Sequence, residues 1–298
     1  MTTSEMREKI ATGQGFIAAL DQSGGSTPKA LQGYGYRGDE WSGDEEMFGL
    51  IHQMRSRIIS SPSFGGGKVI GAILFERTMD GDIDGTPVPK ALTDQGVVPF
   101  IKIDKGLEDE AHGVQMMKPM PELDALLTKA KTLGVFGTKE RSVINLANPE
   151  GIAAIVKQQF DVARQVLGHG MVPIIEPEVN IKSTERAAAD RILRDEILKN
   201  LESVPASEQV MLKLSIPAVA GLFGPLVNHP KVLRVVALSG GYSRDEACEL
   251  LARDRTLIAS FSRALLEGLT EGQTDEQFNA QLDASIEQIY RASVDKER

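Results

Sequence analysis

Val210-Met-Leu-Lys-Leu-Ser-Ile216 has the length and branched apolar content of a buried strand, with a lysine in its middle. Alternation puts Val210, Leu212, Leu214 and Ile216 on one face and Met211, Lys213 and Ser215 on the other. An ammonium taken out of water costs several kcal/mol unless it is paired or releases its proton. A lysine that releases its proton is a nucleophile toward carbonyls. Alone, the stretch favours the plainer outcome, a lysine in a structural ion pair or at the wet end of a strand. The rest of the chain shifts that balance.

The stretch is the sixth of eight similar runs. They are Gly15–Asp21, Val69–Glu76, Val98–Asp104, Phe136–Ile144, Met171–Val179, Val210–Ile216, Val232–Ser239 and Thr256–Ser262. Amphipathic helical segments lie between most of them, among them Glu122–Leu133, Ile152–Leu167, Ser183–Leu201 and Asp245–Arg253. Strand–helix alternation implies right-handed crossovers and a parallel sheet. Eight such units in 298 residues match a closed (β/α)8 TIM barrel better than an open doubly wound sheet. No GxGxxG follows the first strand, which weakens the dinucleotide-binding alternative. With no Pro- or Ser-rich linker and no low-complexity tract, residues 1–298 read as one domain. Ser243-Arg-Asp-Glu246 and Thr274-Asp-Glu-Gln277 have capping-box spacing, and the second opens a helix over 275–295 that packs on the barrel. The Gly-rich segment Ser23–Asp44, with Tyr34, Tyr36 and Trp41, is expected to be a loop at the C-terminal ends of the strands.

Composition narrows the chemistry. A net charge of -9 argues against nucleic acid or an anionic membrane surface as partner. The single Cys248 excludes an intrachain disulfide and a CxxC site. His52, His112, His169 and His229 show no metal-ligand spacing, so no metal site is expected. The N-terminus reads as a short polar helix without an apolar signal core, and no run approaches a membrane span. The cytoplasm is the expected compartment.

In this fold, catalytic groups come from the C-terminal ends of several strands. Asp21 shares a strand face with Ile17 and Ala19, Lys102 with Asp104, and Lys139 with Arg141. Glu176 and Glu178 flank Pro177, which has no N–H for a ladder, so that strand is expected to be irregular or to end there. Each charge alone reads as a solvated strand end or half of an ion pair. Six strands offering such groups to one face read as a site. Inside a barrel, Lys213 would meet cations such as Lys139 and carboxylates such as Glu176, which push its pKa in opposite directions. Leu238-Ser-Gly-Gly-Tyr-Ser243 follows the seventh strand and Arg263 the eighth, the frequent phosphate site of this fold.

Seven short motifs in order carry a resemblance. They are Ala19-Leu-Asp-Gln-Ser-Gly-Gly-Ser26, Ile101-Lys-Ile-Asp-Lys-Gly106, Lys139-Glu-Arg-Ser-Val143, Val172-Pro-Ile-Ile-Glu-Pro-Glu178, Leu212-Lys-Leu214, Leu238-Ser-Gly-Gly241 and Ser260-Phe-Ser-Arg-Ala-Leu265. Over Gly15 to about Leu266 the chain resembles the class I (Schiff-base) fructose-1,6-bisphosphate aldolases, and among them the shorter bacterial members. The resemblance implies reversible cleavage of fructose 1,6-bisphosphate, in glycolysis and gluconeogenesis, through a covalent imine on Lys213, with no metal or other cofactor. It implies Glu176 as general acid/base, Glu178 as its neighbour in the proton network, and Asp21 as the base for the C4 hydroxyl. Lys139 resembles the lysine that accompanies the imine lysine, and Arg141 the nearby arginine. Ser239, Gly240 and Arg263 match the 1-phosphate site, and Ser23, Ser26 and Lys102 lie toward the 6-phosphate. The partner implied is a small phosphorylated sugar. Members of the family commonly form homo-oligomers, and no interface is marked in the sequence.

The chain departs from the vertebrate pattern at three places. Gln22 replaces a glutamate, and Ser262 replaces the glycine before the strand-eight arginine, so one backbone phosphate contact is not carried over. The C-terminal tyrosine that assists proton exchange at C3 has no counterpart in Val-Asp-Lys-Glu-Arg298, and Tyr290 falls within a helix as a packing residue.

Overall fold

The eight runs fold into one sheet in a computed structural model that describes residues 1–296. Glu297 and Arg298, the end of the segment read for the family's C-terminal tyrosine, lie outside the described residues. The strands are β1 (Phe16–Leu20), β2 (Val69–Leu74), β3 (Val98–Lys102), β4 (Gly137–Ile144), β5 (Val172–Val179), β6 (Val210–Ser215), β7 (Val232–Leu238) and β8 (Ile258–Ala259). They neighbour one another in chain order, every pairing parallel. The Ala19 N–H donates to the Phe261 carbonyl at 3.0 Å, which brings β1 against the end of β8 and completes the (β/α)8 barrel.

Helices α1 (Thr3–Thr12), α2 (Asp44–Ser60), α3 (Val88–Asp94), α4 (Leu123–Thr132), α5 (Pro149–Gly168), α6 (Arg186–Leu201), α7 (Arg244–Ala252) and α8 (Asp275–Val294) accompany the strands. Their starts follow from local chemistry. Ser243 and Thr274 complete the expected capping boxes with Glu246 and Gln277, and Asn148 caps α5 ahead of Pro149. Tyr290 packs against the core from α8.

The alternation read in the sequence sorts the core into two layers. Val210, Leu212, Leu214 and Ile216 join the layer between sheet and helices, whereas Met211 joins Ile17, Ala19, Val98, Phe100, Ile174 and Val236 inside the barrel. Gly137 is required there: a Cβ would lie 2.1 Å from the Val172 carbonyl and 2.9 Å from the Phe100 ring. Met6 and Ile10 of α1 belong to the same interior cluster and plug the N-terminal end. Arg234 donates to the Ala11 carbonyl at 2.6 Å, placing a cation at the C-terminal end of α1. The far end stays open.

At Pro177 the strand does not end, as one of the two expectations had it. β5 keeps its register with β4 through Ser142–Pro177 to Ile144–Val179. Its even-numbered N–H groups face β4, as Val172 to Phe136 O and Asn180 to Ile144 O show. The missing N–H of Pro177 therefore falls on the β6 side, where pairing stops after Ile175–Leu212. The Ser215 hydroxyl donates to the Val179 carbonyl at 2.7 Å across the resulting gap. Two short elements had no clear sequence signal: a hairpin of Asp82–Ile83 with Thr86–Pro87, and Val114–Gln115, antiparallel to the end of β4. The Ser23–Asp44 segment, expected as a loop, contains a helix at Thr27–Gly33.

Candidate active site

Above the apolar interior layer, the same strand faces become charged at one height. Asp21 follows Ala19, Lys102 follows Phe100, Lys139 follows Gly137, Glu176 follows Ile174, and Lys213 follows Met211. The strand period of two dictates this, since each charge lies two residues above an inward apolar position. These groups line an open cavity of about 1030 Å³ at the C-terminal ends of the strands.

Its centre is a chain of ion pairs. Lys139 Nζ lies 2.6 Å from Asp21 Oδ2 and 2.9 Å from Glu176 Oε2, and Lys213 Nζ lies 3.1 Å from Glu176 Oε1. All four residues are buried. Burial opposes the charge on Lys139, but Asp21 and Glu176 outweigh it and hold the ammonium's pKa above its ordinary value. Burial likewise opposes the charge on Asp21, and Lys139 with Lys213 holds its carboxyl well below the usual range. The two lysines therefore differ. Lys139 is clamped as a cation between two carboxylates, whereas Lys213 shares one carboxylate with it and faces its like charge. Lys213 thus has one carboxylate contact where Lys139 has two.

Around this centre, Arg141 Nε donates to Glu178, and Glu178 raises the guanidinium's pKa against the opposing effect of burial. Lys102 Nζ donates to the side chain and carbonyl of Asp104 at 2.7 and 2.8 Å. Burial lowers the pKa of Lys102, with Asp104 opposing. On the seventh-strand side, Gly240 has φ +63°, and a Cβ there would lie 2.5 Å from Ile181 Cγ2. A Cβ on Gly241 would be 3.3 Å from Arg263 Nη2, so the glycine turn and the arginine of the next loop adjoin. Ser239, Ser23 and Ser26 line the same cavity, the last two bound to each other through Ser26 Oγ.

This arrangement coincides with what the chain is similar to. A family model described as fructose-bisphosphate aldolase class-I matches residues 3–216. A fructose-bisphosphate aldolase class 1 of Porphyromonas gingivalis is 55% identical over 291 residues, covering 97% of this chain and 99% of that protein. The chain belongs to the class I fructose-bisphosphate aldolase family. Solved structures agree on the fold of this aldolase. A Plasmodium falciparum fructose-bisphosphate aldolase superposes with a TM-score of 0.79 at 20% identity, covering 99% of this chain and 96% of that one. A Schiff-base-forming fructose-1,6-bisphosphate aldolase gives 0.51 at 12% identity, covering 97% and 100%.

All twelve residues expected at the site of a class I aldolase line this one cavity. Several others there went unnoticed in the sequence. Lys29 adds a cation, and Ser260 adds a buried hydroxyl with no partner among the described residues. The alternation Ser260-Phe-Ser262 was the available signal, since it puts two hydroxyls on one strand face. Gln22 and Ser262, noted only as departures, touch: Gln22 Nε2 donates to Ser262 Oγ at 2.6 Å. The histidines serve elsewhere, His169 on Asp124 and His52 on the Asp82 carbonyl.

Proposed function

We propose that this aldolase cleaves fructose 1,6-bisphosphate reversibly to dihydroxyacetone phosphate and glyceraldehyde 3-phosphate through an imine on Lys213. The observation that carries the assignment is the contrast between the two buried lysines: one clamped between carboxylates, the other 3.1 Å from a single shared carboxylate. Lys213 passes its ammonium proton to Glu176, and the neutral amine attacks the C2 carbonyl. Glu176, within reach of Lys213 Nζ, delivers the proton with which the carbinolamine loses water. The iminium then draws the electrons of the C3–C4 bond into an enamine, and Asp21 takes the C4 hydroxyl proton as the aldehyde leaves.

Lys139 keeps Asp21 and Glu176 in fixed relation and gives Glu176 a counter-charge throughout. Glu178, paired with Arg141, is the next carboxylate in the proton network. Ser239, Gly240 and Arg263 hold the 1-phosphate, while Ser23, Ser26 and Lys102 face the 6-phosphate. Fixing both ends sets the scissile bond against the central carboxylates and lowers the entropic cost of reaching the transition state.

The test is borohydride reduction with fructose 1,6-bisphosphate in the presence of chelator, followed by peptide mapping. The expected result is a reduced adduct on Lys213, lost in Lys213→Met together with cleavage. An adduct on Lys139 would reverse the two lysines, and full cleavage by Lys213→Met would sink the mechanism.

A further inference from the structure

Behind the cavity wall, Arg55 of α2 is fully buried, and its hydrogen-bond partners are neutral. Its Nη1 donates to Thr78 Oγ1 at 2.7 Å, and Nη2 donates to the Gln22 carbonyl at 2.6 Å and to Gln22 Oε1 at 3.3 Å. A guanidinium has only donors, so it fixes which end of the Gln22 amide faces it. The amide oxygen turns to Arg55, and the NH2 group must turn the other way. There it meets Ser262 Oγ at 2.6 Å.

The consequence falls on the serine. With one lone pair of Ser262 Oγ occupied by an N–H, its own proton is free, and among the described residues no acceptor takes it. Ser262 lines the cavity beside Arg263 and the Ser239-Gly240-Gly241 turn. We propose that Arg55, Gln22 and Ser262 form a one-way hydrogen-bond relay that presents the Ser262 hydroxyl as a donor to a phosphate monoester held at Arg263. Each link is polarised by the one before it, with a buried cation at one end and the anion at the other. Ser262 is then a binding residue, and Gln22 and Arg55 are positioning residues that set the direction of its proton. The inference rests on the proposed phosphate site and adds the group that reads it.

The decisive variant is Gln22→Glu. A carboxylate there gives Arg55 a counter-ion, but it accepts from Ser262 and pulls the hydroxyl proton away from the cavity. The relay predicts a protein whose Tm is equal to or above the wild type and whose affinity for inorganic phosphate, by calorimetry, falls about tenfold. Ser262→Ala is expected to lose a similar factor, and Ser262→Thr to retain affinity because it keeps the hydroxyl. A merely structural contact would move Tm without moving phosphate affinity. Phosphate binding by Gln22→Glu or Ser262→Ala as tight as that of the wild type would overturn the relay, as would a wild-type protein that binds no phosphate. Borohydride trapping separates this from the reaction itself. Wild type that traps on Lys213 while both variants bind phosphate normally loses the relay alone. Wild type that binds phosphate with the expected variant losses, yet never traps, loses the imine mechanism alone.

Discussion

At the scale of the residue, neighbouring buried groups on β4 carry opposite electrostatic consequences. Asp21 is held below the ordinary carboxylate range, so its share of stability is present above the unfolded pKa, about 3.9, and is lost as pH falls. Lys139 is held above the ordinary range, so its share is present below about 10.4 and is lost as pH rises through the folded value. Neither Asp21 nor Lys139 titrates between about pH 5 and about pH 9. Glu140, next to Lys139 but on the other face of β4, is fully buried, and among the described residues neither carboxyl oxygen has a hydrogen-bond partner. Burial, reinforced by Asp104, raises its pKa well above the usual value. Such a carboxyl takes up a proton on folding, so it costs stability increasingly as pH rises above the unfolded pKa, about 4.3. Glu140→Gln should therefore gain on the wild type by up to roughly 1.4 kcal/mol per pH unit across that window. Urea unfolding at several pH values measures this, and a pH-independent difference would show that Glu140 is ionised in the folded protein. Lys139→Met leaves Asp21 and Glu176 without their shared cation, and its cleavage rate should fall on the order of 10²-fold or more. A loss below threefold would remove Lys139 from the mechanism.

At the scale of the element, β5 and β6 part just where Glu176 and Lys213 need room. Pro177 supplies the missing donor, and the Ser215 hydroxyl satisfies the Val179 carbonyl across the gap at 2.7 Å. Ser215→Ala leaves that buried carbonyl unpaired and should cost about 1–2 kcal/mol in thermal or urea unfolding. An unchanged midpoint would mean that β6 can close onto β5 without the serine. The strand faces were legible in the sequence because a period of two fixes them. Knowing that Ile17 and Ala19 point inward is enough to place Asp21 at the mouth. The splay was half legible, because a proline announces a broken ladder but not which neighbour loses it. Contacts between distant segments were not legible. Gln22 and Ser262 are 240 residues apart, and only the meeting of β1 with β8 joins them. The unpaired interior of Glu140 was hidden for a related reason: a glutamate between a lysine and an arginine looks like part of a charged run.

At the scale of the whole molecule, the barrel is unevenly closed. β4 and β5 pair along eight residues, Gly137–Ile144 against Val172–Val179, whereas β7 and β8 pair at only two positions. The β8–β1 seam rests on Ala19 to Phe261 O, the Gln22–Ser262 contact, and two braces, one from α8 and one from α2. Those braces are Ser293 Oγ accepting from the Ala259 N–H at 3.0 Å, and Arg57 of α2 reaching the Gln273 carbonyl at 2.6 Å just before α8. Local opening follows the density of such contacts, so the seam should open at lower free energy than the β4–β5 ladder. The candidate phosphate groups sit on this seam, with Arg263 after β8 and Ser23 after β1. An anion bound there adds contacts to the closed form only, and so favours it by mass action. Hydrogen exchange should show the amides of Ala19 and Ser260–Leu266 exchanging faster than those of β4 and β5. Inorganic phosphate should slow the seam selectively. Equal slowing in both regions would mean that phosphate stabilises the fold as one unit, and slowing at β4 and β5 alone would move the anion site away from Arg263.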